Sequence, residues 1–271
     1  MGLGLLGTRE WGSKGLGSSI LTRSFLAIVL IVFSIQSSIV VAQALDGDKD
    51  QDRPRVKLPK PLKKYMGRSI AQTMHYTGAE WLIRDRRERE ERCSLMLANL
   101  GVKTGMAICD MGCGNGFHTL KLAEMTGPKG YVAGVDVQPQ MLLLLRNRME
   151  ESGFENVVPI LGSYHNPRLP RGSLDLILLV DVYHEFSHPQ QMLKAMRESL
   201  KPGGVIVLVE YREEDPDVPI KPKHKMSKAQ VDKELTANGF TLVRSFDKLP
   251  WQHMLFYGIA DDENSDEQPS Q

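Results

Sequence analysis

Cysteine is scarce in this sequence, with only Cys93, Cys109 and Cys113 among 271 residues. Their spacing matches neither a disulfide framework nor a set of metal ligands, so we predict no disulfide scaffold and no metal site. An excess of one charge is also absent, because 34 Lys and Arg stand against 33 Asp and Glu. A chain this close to neutrality argues against nucleic acid as a partner.

Long hydrophobic runs are absent apart from one near the N-terminus, at residues 24–44. Basic residues precede this run and Ala42-Gln43-Ala44 ends it, which is typical of a secretory signal with a small-residue cleavage site. The run is also long enough to cross a bilayer as an uncleaved anchor. We therefore predict that residues 1–44 are a signal peptide or membrane anchor that contacts the membrane or the export machinery. The protein is then exported (periplasmic or extracellular) or membrane-anchored, whereas translation from a later methionine such as Met66 leaves it cytoplasmic.

The rest of the chain divides by composition into three parts. Residues 45–68 are rich in charges and proline, which predicts a flexible linker. Residues 261–271 are acidic and poor in apolar side chains, which predicts a disordered tail. Residues 69–260 lie between them and predict one globular domain, since the whole chain is 41% hydrophobic and 25% charged.

Short apolar runs alternate with amphipathic helices from Lys103 onward, which predicts an α/β fold with a parallel sheet and helices on its faces. The last two strands are separated only by a short loop and are expected to pair antiparallel. The seven predicted strands are 106–111, 131–137, 157–161, 174–180, 205–210, 240–246 and 254–259. The turn Lys201-Pro202-Gly203-Gly204 is expected to precede the fifth strand.

Two regions outside this alternation carry polar and aromatic side chains. Residues 83–100 are dense in charges of both signs at helical spacing, which predicts a helix with a solvated face that ends at Gly101. Residues 75–81 and the Pro-rich loop 211–224 lie beside the predicted core and are expected to cover the site.

A glycine-rich turn follows the first predicted strand, in the stretch Asp110-Met111-Gly112-Cys113-Gly114-Asn115-Gly116. Glycine at three alternate positions lets the backbone adopt positive φ and lets a ligand lie close to the main chain. A dinucleotide fingerprint would place its third glycine at Phe117, so the spacing counts against a nucleotide-dependent oxidoreductase. A tight strand-to-helix turn in another α/β protein remains an alternative.

The motif Asp-x-Gly-x-Gly-x-Gly at Asp110–Gly116 resembles motif I of the class I methyltransferases that use S-adenosylmethionine. The resemblance covers roughly residues 83–260 and also rests on the turn at 201–204. It implies a Rossmann-like, seven-stranded, mostly parallel sheet with helices on both faces. It also implies that the glycine turn, including Cys113 and Asn115, holds the methionine and ribose part of S-adenosylmethionine.

The ends of the next two strands supply further candidates for cofactor binding. The resemblance implies that Asp136, followed by Val137, accepts hydrogen bonds from both ribose hydroxyls. A surface acid that caps the helix beginning near Pro139 is the structural alternative. The third strand is followed by Gly162-Ser163. Family members often carry an acid here that contacts the adenine amino group. Since this chain has no acid at that place, we expect Ser163 or a backbone carbonyl to make the contact.

A cluster of acid and base groups follows the fourth strand, at Asp181, Tyr183, His184 and Glu185. In the fold that the resemblance implies, this loop faces the methyl group to be transferred. We expect His184 or Glu185 to accept a proton from the substrate and the other to orient it, although a histidine that only packs on its loop is an equal alternative. The predicted activity is methyl transfer to a small molecule, with S-adenosylhomocysteine as product. An exported cofactor-binding protein without transfer activity is the alternative.

Overall fold

The computed structural model describes residues 59–260 of the chain. The predicted signal or anchor at residues 24–44 and the predicted tail at 261–271 lie outside the described residues. No helix within residues 59–260 has both the length and the apolar character that a membrane crossing requires.

Seven strands lie side by side in one sheet, and their inner members are buried on both faces. In chain order the structure forms β1 Lys64–Tyr65, β2 Arg68–Ser69, β3 Ala107–Met111, β4 Tyr131–Asp136, β5 Val157–Leu161, β6 Leu174–Val180, β7 Leu200–Arg212, β8 Lys225–Met226, β9 Phe240–Phe246 and β10 Gln252–Ile259. The sheet order is β5-β4-β3-β6-β7-β10-β9, and the two-residue β8 pairs with the end of β7. The five neighbouring strands β5, β4, β3, β6 and β7 are parallel to one another, while β10 runs antiparallel to both β7 and β9.

Helices cover both faces of this sheet. They are α1 Arg87–Glu91, α2 Cys93–Ala98, α3 Phe117–Thr126, α4 Pro139–Ser152, α5 Pro189–Ser199 and α6 Lys228–Thr236, with short 3₁₀ helices at Tyr76–Ile83, Tyr183–Glu185 and Pro222–His224. Alternate strand residues point to opposite faces, so Ile108 packs in the core beneath α2, α3 and α4, and Cys109 packs in the core beneath α5 and α6. The predicted α/β class, the mostly parallel seven-stranded sheet and the antiparallel final pair are confirmed.

The predicted helix over residues 83–100 is wrong in its continuity and in its exposure. Arg92 adopts φ 49° and separates α1 from α2. The side chains of Arg87 and Glu91 are buried rather than solvated, and Arg87 Nε donates to Glu91 at 2.7 Å. Tyr211 on β7 also donates its hydroxyl to Glu91, at 2.9 Å. Contacts with the sheet therefore bury a charged pair that the local sequence predicts to be exposed to solvent.

Two further segments differ from prediction. Residues 201–204 do not precede the fifth strand but lie within β7, where the pairing with β6 shifts between Leu174 and Leu176 and Gly203 has φ 77°. The predicted turn is therefore a bulge. The last residues of the predicted linker are folded, since β1 and β2 form a hairpin in which Tyr65 is buried and accepts a hydrogen bond from Asn238 at 2.9 Å.

Candidate active site

A cavity of about 500 Å³ lies at the carboxyl ends of β3, β4 and β6. This is the edge of an open parallel sheet where ligands collect. Segments 73–82 and 219–224 supply part of the wall. Of the two segments expected to cover the site, 75–81 contributes only Trp81 to the wall and 211–224 contributes Tyr211 and its last residues. Eight of the predicted site residues line this cavity: Gly112, Gly114, Asp136, Val137, Ser163, Asp181, His184 and Glu185.

The glycine turn is held against the neighbouring strand by backbone hydrogen bonds. The amides of Gly112 and Cys113 both donate to the Val135 carbonyl, at 2.8 and 3.0 Å. Gly112 has φ 70°, and a Cβ there would lie 2.6 Å from the Val182 side chain in the cavity wall. Glycine at 112 is therefore needed both for the positive φ and for the packing of the wall that faces a ligand.

Asp136 joins the glycine turn to the end of β4. Its Oδ2 accepts from the Gly114 amide at 3.0 Å and its Oδ1 accepts from the Gln138 amide at 2.8 Å. Burial raises the pKa of Asp136, and these backbone hydrogen bonds oppose that shift. A carboxylate has about four acceptor positions, so these hydrogen bonds do not use all of them, and a hydroxyl group of a ligand in the cavity can also donate to it.

Asp110 and Cys113 belong to the motif but do not line the cavity. Asp110 Oδ2 accepts from the Thr119 hydroxyl at 2.6 Å, which ties β3 to the start of α3. Burial raises the pKa of Asp110 to about 6. The Cys113 thiol is buried under the turn. Both side chains thus support the turn from beneath.

Asn115, Gly116 and Gly162 also lie outside the cavity wall. Asn115 Nδ2 donates to the Ala79 carbonyl at 3.0 Å and so ties segment 76–83 to the glycine turn. Gly116 has φ 82° and begins α3, while the Gly162 amide donates to the Asp136 carbonyl at 2.9 Å. These residues shape the site without facing a ligand.

Gln138 is a site residue that the sequence did not reveal. Its Oε1 accepts from the Tyr76 amide and its Nε2 donates to the Met74 carbonyl, each at 2.8 Å. Glu185 Oε1 accepts from the Met74 amide at 3.2 Å. Two side chains from the sheet edge therefore hold segment 74–76 across the cavity.

Asp181 has a buried oxygen that makes no hydrogen bond to any residue in 59–260. Gln252 Nε2 donates to Oδ2 at 2.8 Å, while Oδ1 is left without a partner. Burial, with the nearby carboxylates of Glu91 and Glu210, raises the pKa of Asp181 well above its ordinary value. A cationic group of a ligand beside Oδ1 would favour the charged form of this carboxylate.

His184 is fixed by contacts on both ring nitrogens. Its Nδ1 lies 2.7 Å from Glu210 Oε2, and its Nε2 lies 3.1 Å from His224 Nδ1. Burial lowers the pKa of His184, but the Glu210 carboxylate outweighs burial, so the pKa lies above the ordinary value. Burial and the neighbouring His184 lower the pKa of His224, and burial raises the pKa of Glu185 to about 7. Glu210 and His224 were missed from the sequence because they reach His184 from a different strand and loop.

Tyr183 points away from the cavity. Its hydroxyl donates to Glu234 Oε2 at 2.7 Å, and the ring is buried. Arg68 Nε donates to the other oxygen of Glu234 at 2.6 Å. The side chain therefore joins the loop after β6 to α6 and to the hairpin, rather than facing the space beside His184.

The site can be tested for fit to S-adenosylmethionine, which the motif resemblance implies. The cofactor carries an ammonium, a carboxylate, a sulfonium and two ribose hydroxyls. The unpartnered Oδ1 of Asp181 suits the ammonium, and Asp136 keeps acceptor positions for hydroxyls. Arg87 lies in the same wall with Nε bound to Glu91 and Nη1 to the Leu82 carbonyl, so its Nη2 is the group that suits the carboxylate. The residues present therefore fit this cofactor.

Known methyltransferases resemble part of this chain in sequence. A demethylmenaquinone methyltransferase of Lactococcus lactis is 30% identical over 114 residues, which cover 42% of this chain and 45% of the relative. A tRNA U34 carboxymethyltransferase of Desulfotalea psychrophila is 32% identical over 132 residues, covering 48% and 38% of the two chains. The chain thus spans about half the length or less of these two relatives.

A solved structure and a family model extend the likeness. The crystal structure of a SAM dependent methyltransferase from Aquifex aeolicus superposes with a TM-score of 0.66 at 24% identity, covering 69% of this chain and all of that one, which shows a shared fold. A family model described as a methyltransferase domain matches residues 102–258. Because that match covers more than half of the chain and contains the glycine turn, Asp136 and His184, the protein belongs to the methyltransferase domain family.

Proposed function

We propose that this protein transfers a methyl group from S-adenosylmethionine to a small-molecule acceptor and forms S-adenosylhomocysteine. The observation that carries the proposal is the convergence of the glycine turn, Asp136 and the unpartnered Asp181 oxygen on one cavity. Each of these groups complements a different part of the cofactor.

The cofactor is held by residues at the ends of four strands and by Arg87 of α1. Asp136 accepts hydrogen bonds from the ribose hydroxyls, with Val137 beside it in the wall. Asp181 and Arg87 bind the amino-acid part next to Gly112. Ser163, which follows Gly162 in the loop after β5, lies in the wall where the adenine contact is expected. When bound, the cofactor supplies a methyl group made electrophilic by its sulfonium.

The acceptor is placed beside His184 and Glu185, at the end of the cavity that segment 219–224 closes. In-line displacement at the sulfonium methyl needs mainly alignment of the two reactants. Glu210 holds the His184 ring through Nδ1, so Nε2 is directed toward the space shared with His224. His184 Nε2 or Glu185 accepts the proton of the acceptor, and Tyr183 contributes by fixing the loop.

The shape and charge of the site support a small acceptor. The cavity falls within the range of about 300–1,000 Å³ that is usual for small-molecule sites. Segments 73–82 and 219–224 narrow its mouth, and the chain carries a net charge of only +1. A polynucleotide would instead call for an open, basic face.

A transfer assay with radiolabelled S-adenosylmethionine tests this function. Purified full-length protein is incubated with phenol, quinol, thiol and amine acceptors and, separately, with bulk tRNA. We expect label in at least one small molecule and none in tRNA. Label in tRNA alone would refute a small-molecule acceptor. Binding of S-adenosylhomocysteine with no transfer to any acceptor would favour the alternative of a cofactor-binding protein.

We also propose that residues 24–44 direct the folded domain across a membrane or anchor it there. The folded hairpin counts against a start at Met66, because that start removes β1 together with the Leu62 amide that donates to the Ser187 carbonyl at 2.9 Å. Sequencing the N-terminus of protein isolated from cells tests this. A terminus at Leu45, or an intact N-terminus in the membrane fraction, supports export or anchoring, and one near Met66 rejects both.

A further inference from the structure

Three metal-ligating side chains meet at the acceptor end of the cavity. His184 and Glu185 come from the 3₁₀ turn after β6, and His224 comes from the loop after β7. One donor atom from each residue lies within 4.8 Å of the other two. We propose that His184, Glu185 and His224 bind a divalent transition-metal ion of the zinc class, which in turn binds the methyl acceptor. The role in acceptor binding rests on the proposed function, while metal binding itself does not.

The two histidines already have nearly the spacing that a shared ion requires. His184 Nε2 and His224 Nδ1 lie 3.1 Å apart. Two nitrogens bound at about 2.0–2.1 Å to a tetrahedral zinc ion are roughly 3.3 Å apart. The Glu185 donor atom lies within 4.8 Å of both nitrogens, and the carboxylate must move closer to share the ion. One of its oxygens accepts from the Met74 amide at 3.2 Å.

The surroundings of His184 resemble those of a metal-bound histidine. A ligand histidine usually donates its second ring N–H to a carboxylate, which fixes the tautomer and aims the free lone pair at the ion. Glu210 Oε2 accepts at 2.7 Å from His184 Nδ1, and Glu210 Oε1 accepts from the Tyr183 amide at 2.9 Å. Both side chains of the His184–Glu210 pair are almost fully buried. The orientation of Nε2 is therefore built into the core, which distinguishes this group from a chance pair of surface histidines.

Charge and access also favour a divalent cation. The carboxylates of Glu185 and Glu210 together balance the two positive charges of the ion. The positively charged Lys221, which also lines the cavity, opposes this effect. All three ligands line the cavity, so a remaining coordination position is open to a molecule bound there. Two histidines and one carboxylate with an open position are the ligand type of catalytic rather than structural zinc sites.

The metal would select acceptors that carry a hydroxyl or a thiol. Coordination polarises the O–H or S–H bond, and the proton leaves to solvent. The coordinated oxygen or sulfur then forms a bond to the methyl carbon as the bond from that carbon to the sulfonium breaks, and the electron pair of the broken bond stays on sulfur. His184 and Glu185 then serve as ligands of the ion, and the metal takes their place as the group that makes the acceptor lose its proton.

Cobalt titration tests this site directly. Tag-free full-length protein is treated with a chelator, dialysed and titrated with Co²⁺ while its visible absorption is followed, and Zn²⁺ is then added to displace the cobalt. We expect one Co²⁺ per chain with the intense absorption of a four- or five-coordinate ion. His224→Ala and Glu185→Gln should each weaken binding by about 100-fold, and Glu210→Gln by roughly 10- to 100-fold through the orientation of His184. His165→Ala is the matched control and should leave the affinity unchanged.

The outcomes separate metal binding from the proposed function. A wild-type protein without a cobalt spectrum, or a His224→Ala variant with an unaltered one, overturns the metal site. S-adenosylhomocysteine is titrated into the same samples by calorimetry. Binding of that compound without a cobalt signal refutes the metal alone, and a cobalt signal without that binding refutes the proposed function alone. Because His224 lies on a partly exposed loop, thermal unfolding of its alanine variant should match the wild type, and the Co²⁺ result then reports on the site.

Discussion

Replacement of Asp136 by alanine separates two tasks of one carboxylate. In the structure the carboxylate accepts hydrogen bonds from the amides of Gly114 and Gln138, at 3.0 and 2.8 Å. In the proposed complex it also accepts from the ribose hydroxyls. The substitution therefore weakens the glycine turn in the free protein and removes hydrogen-bond partners from the bound cofactor.

The magnitude follows from the number of charge-assisted hydrogen bonds lost. Each such bond contributes about 1.5–3 kcal/mol. Loss of two bonds to ribose hydroxyls amounts to at least about 3 kcal/mol, which is a factor of roughly 100 or more in affinity. Loss of the two amide contacts also lowers the free energy of unfolding. This loss is reduced because water that reaches the turn through the cavity can bond to the freed amides.

Calorimetry with S-adenosylhomocysteine and thermal unfolding measure the two effects separately. We expect Asp136→Ala to bind at least about 100-fold more weakly while remaining folded at the assay temperature. Asp175→Asn is the matched control, because Asp175 binds Lys201 and the Ala107 amide at the opposite end of the sheet. That variant should bind normally. An Asp136→Ala variant that loses stability but binds within threefold of the wild type would show that the carboxylate serves only the turn.

Three other predictions concern residues around the site. The pKa of Asp110 is about 6 in the fold against 3.8 in the unfolded chain, so its contribution to stability is most favourable at low pH and declines as pH rises from about 4 to 6, by roughly 3 kcal/mol. Urea titrations at several pH values should show that the free energy of unfolding of the wild type falls by about this much more than that of Asp110→Asn, and equal pH dependence in the two proteins would contradict the raised pKa. Tyr183→Phe should lower the free energy of unfolding by about 1.5–3 kcal/mol through its lost bond to Glu234 and leave kcat/KM within about threefold, whereas a larger fall in kcat/KM would assign the hydroxyl a direct role. Gln138→Ala removes the two hydrogen bonds that hold segment 74–76, so limited proteolysis should cleave that segment faster than in the wild type. An unchanged cleavage rate would show that Gln138 does not hold the segment in place.

The sheet could be predicted from sequence because its signals are local. Each buried parallel strand is a short apolar run, and each run ends at a polar residue or a glycine, as β3 does at Gly112. The antiparallel end of the sheet followed from the short loop between β9 and β10. The glycine turn and Asp136 were found for the same reason, since both directly follow strands.

The rest of the site depends on contacts that no local pattern contains. Glu210 and His224 reach His184 across 26 and 40 residues of sequence. Arg87 and Glu91 sit in a charge-dense stretch that is typical of a solvated helix, yet Tyr211 from β7 completes their hydrogen bonds and buries them. In each case the partner of a buried polar group comes from a strand or loop that is distant in sequence.

Titration of the full-length protein with S-adenosylhomocysteine, in parallel with NAD⁺, tests the central claim most directly. The account predicts one S-adenosylhomocysteine site per chain and no binding of NAD⁺, because the glycine spacing places Phe117 where a dinucleotide motif needs glycine. A folded protein that releases no heat with S-adenosylhomocysteine over a range of temperatures, or that binds NAD⁺ in its place, would contradict it.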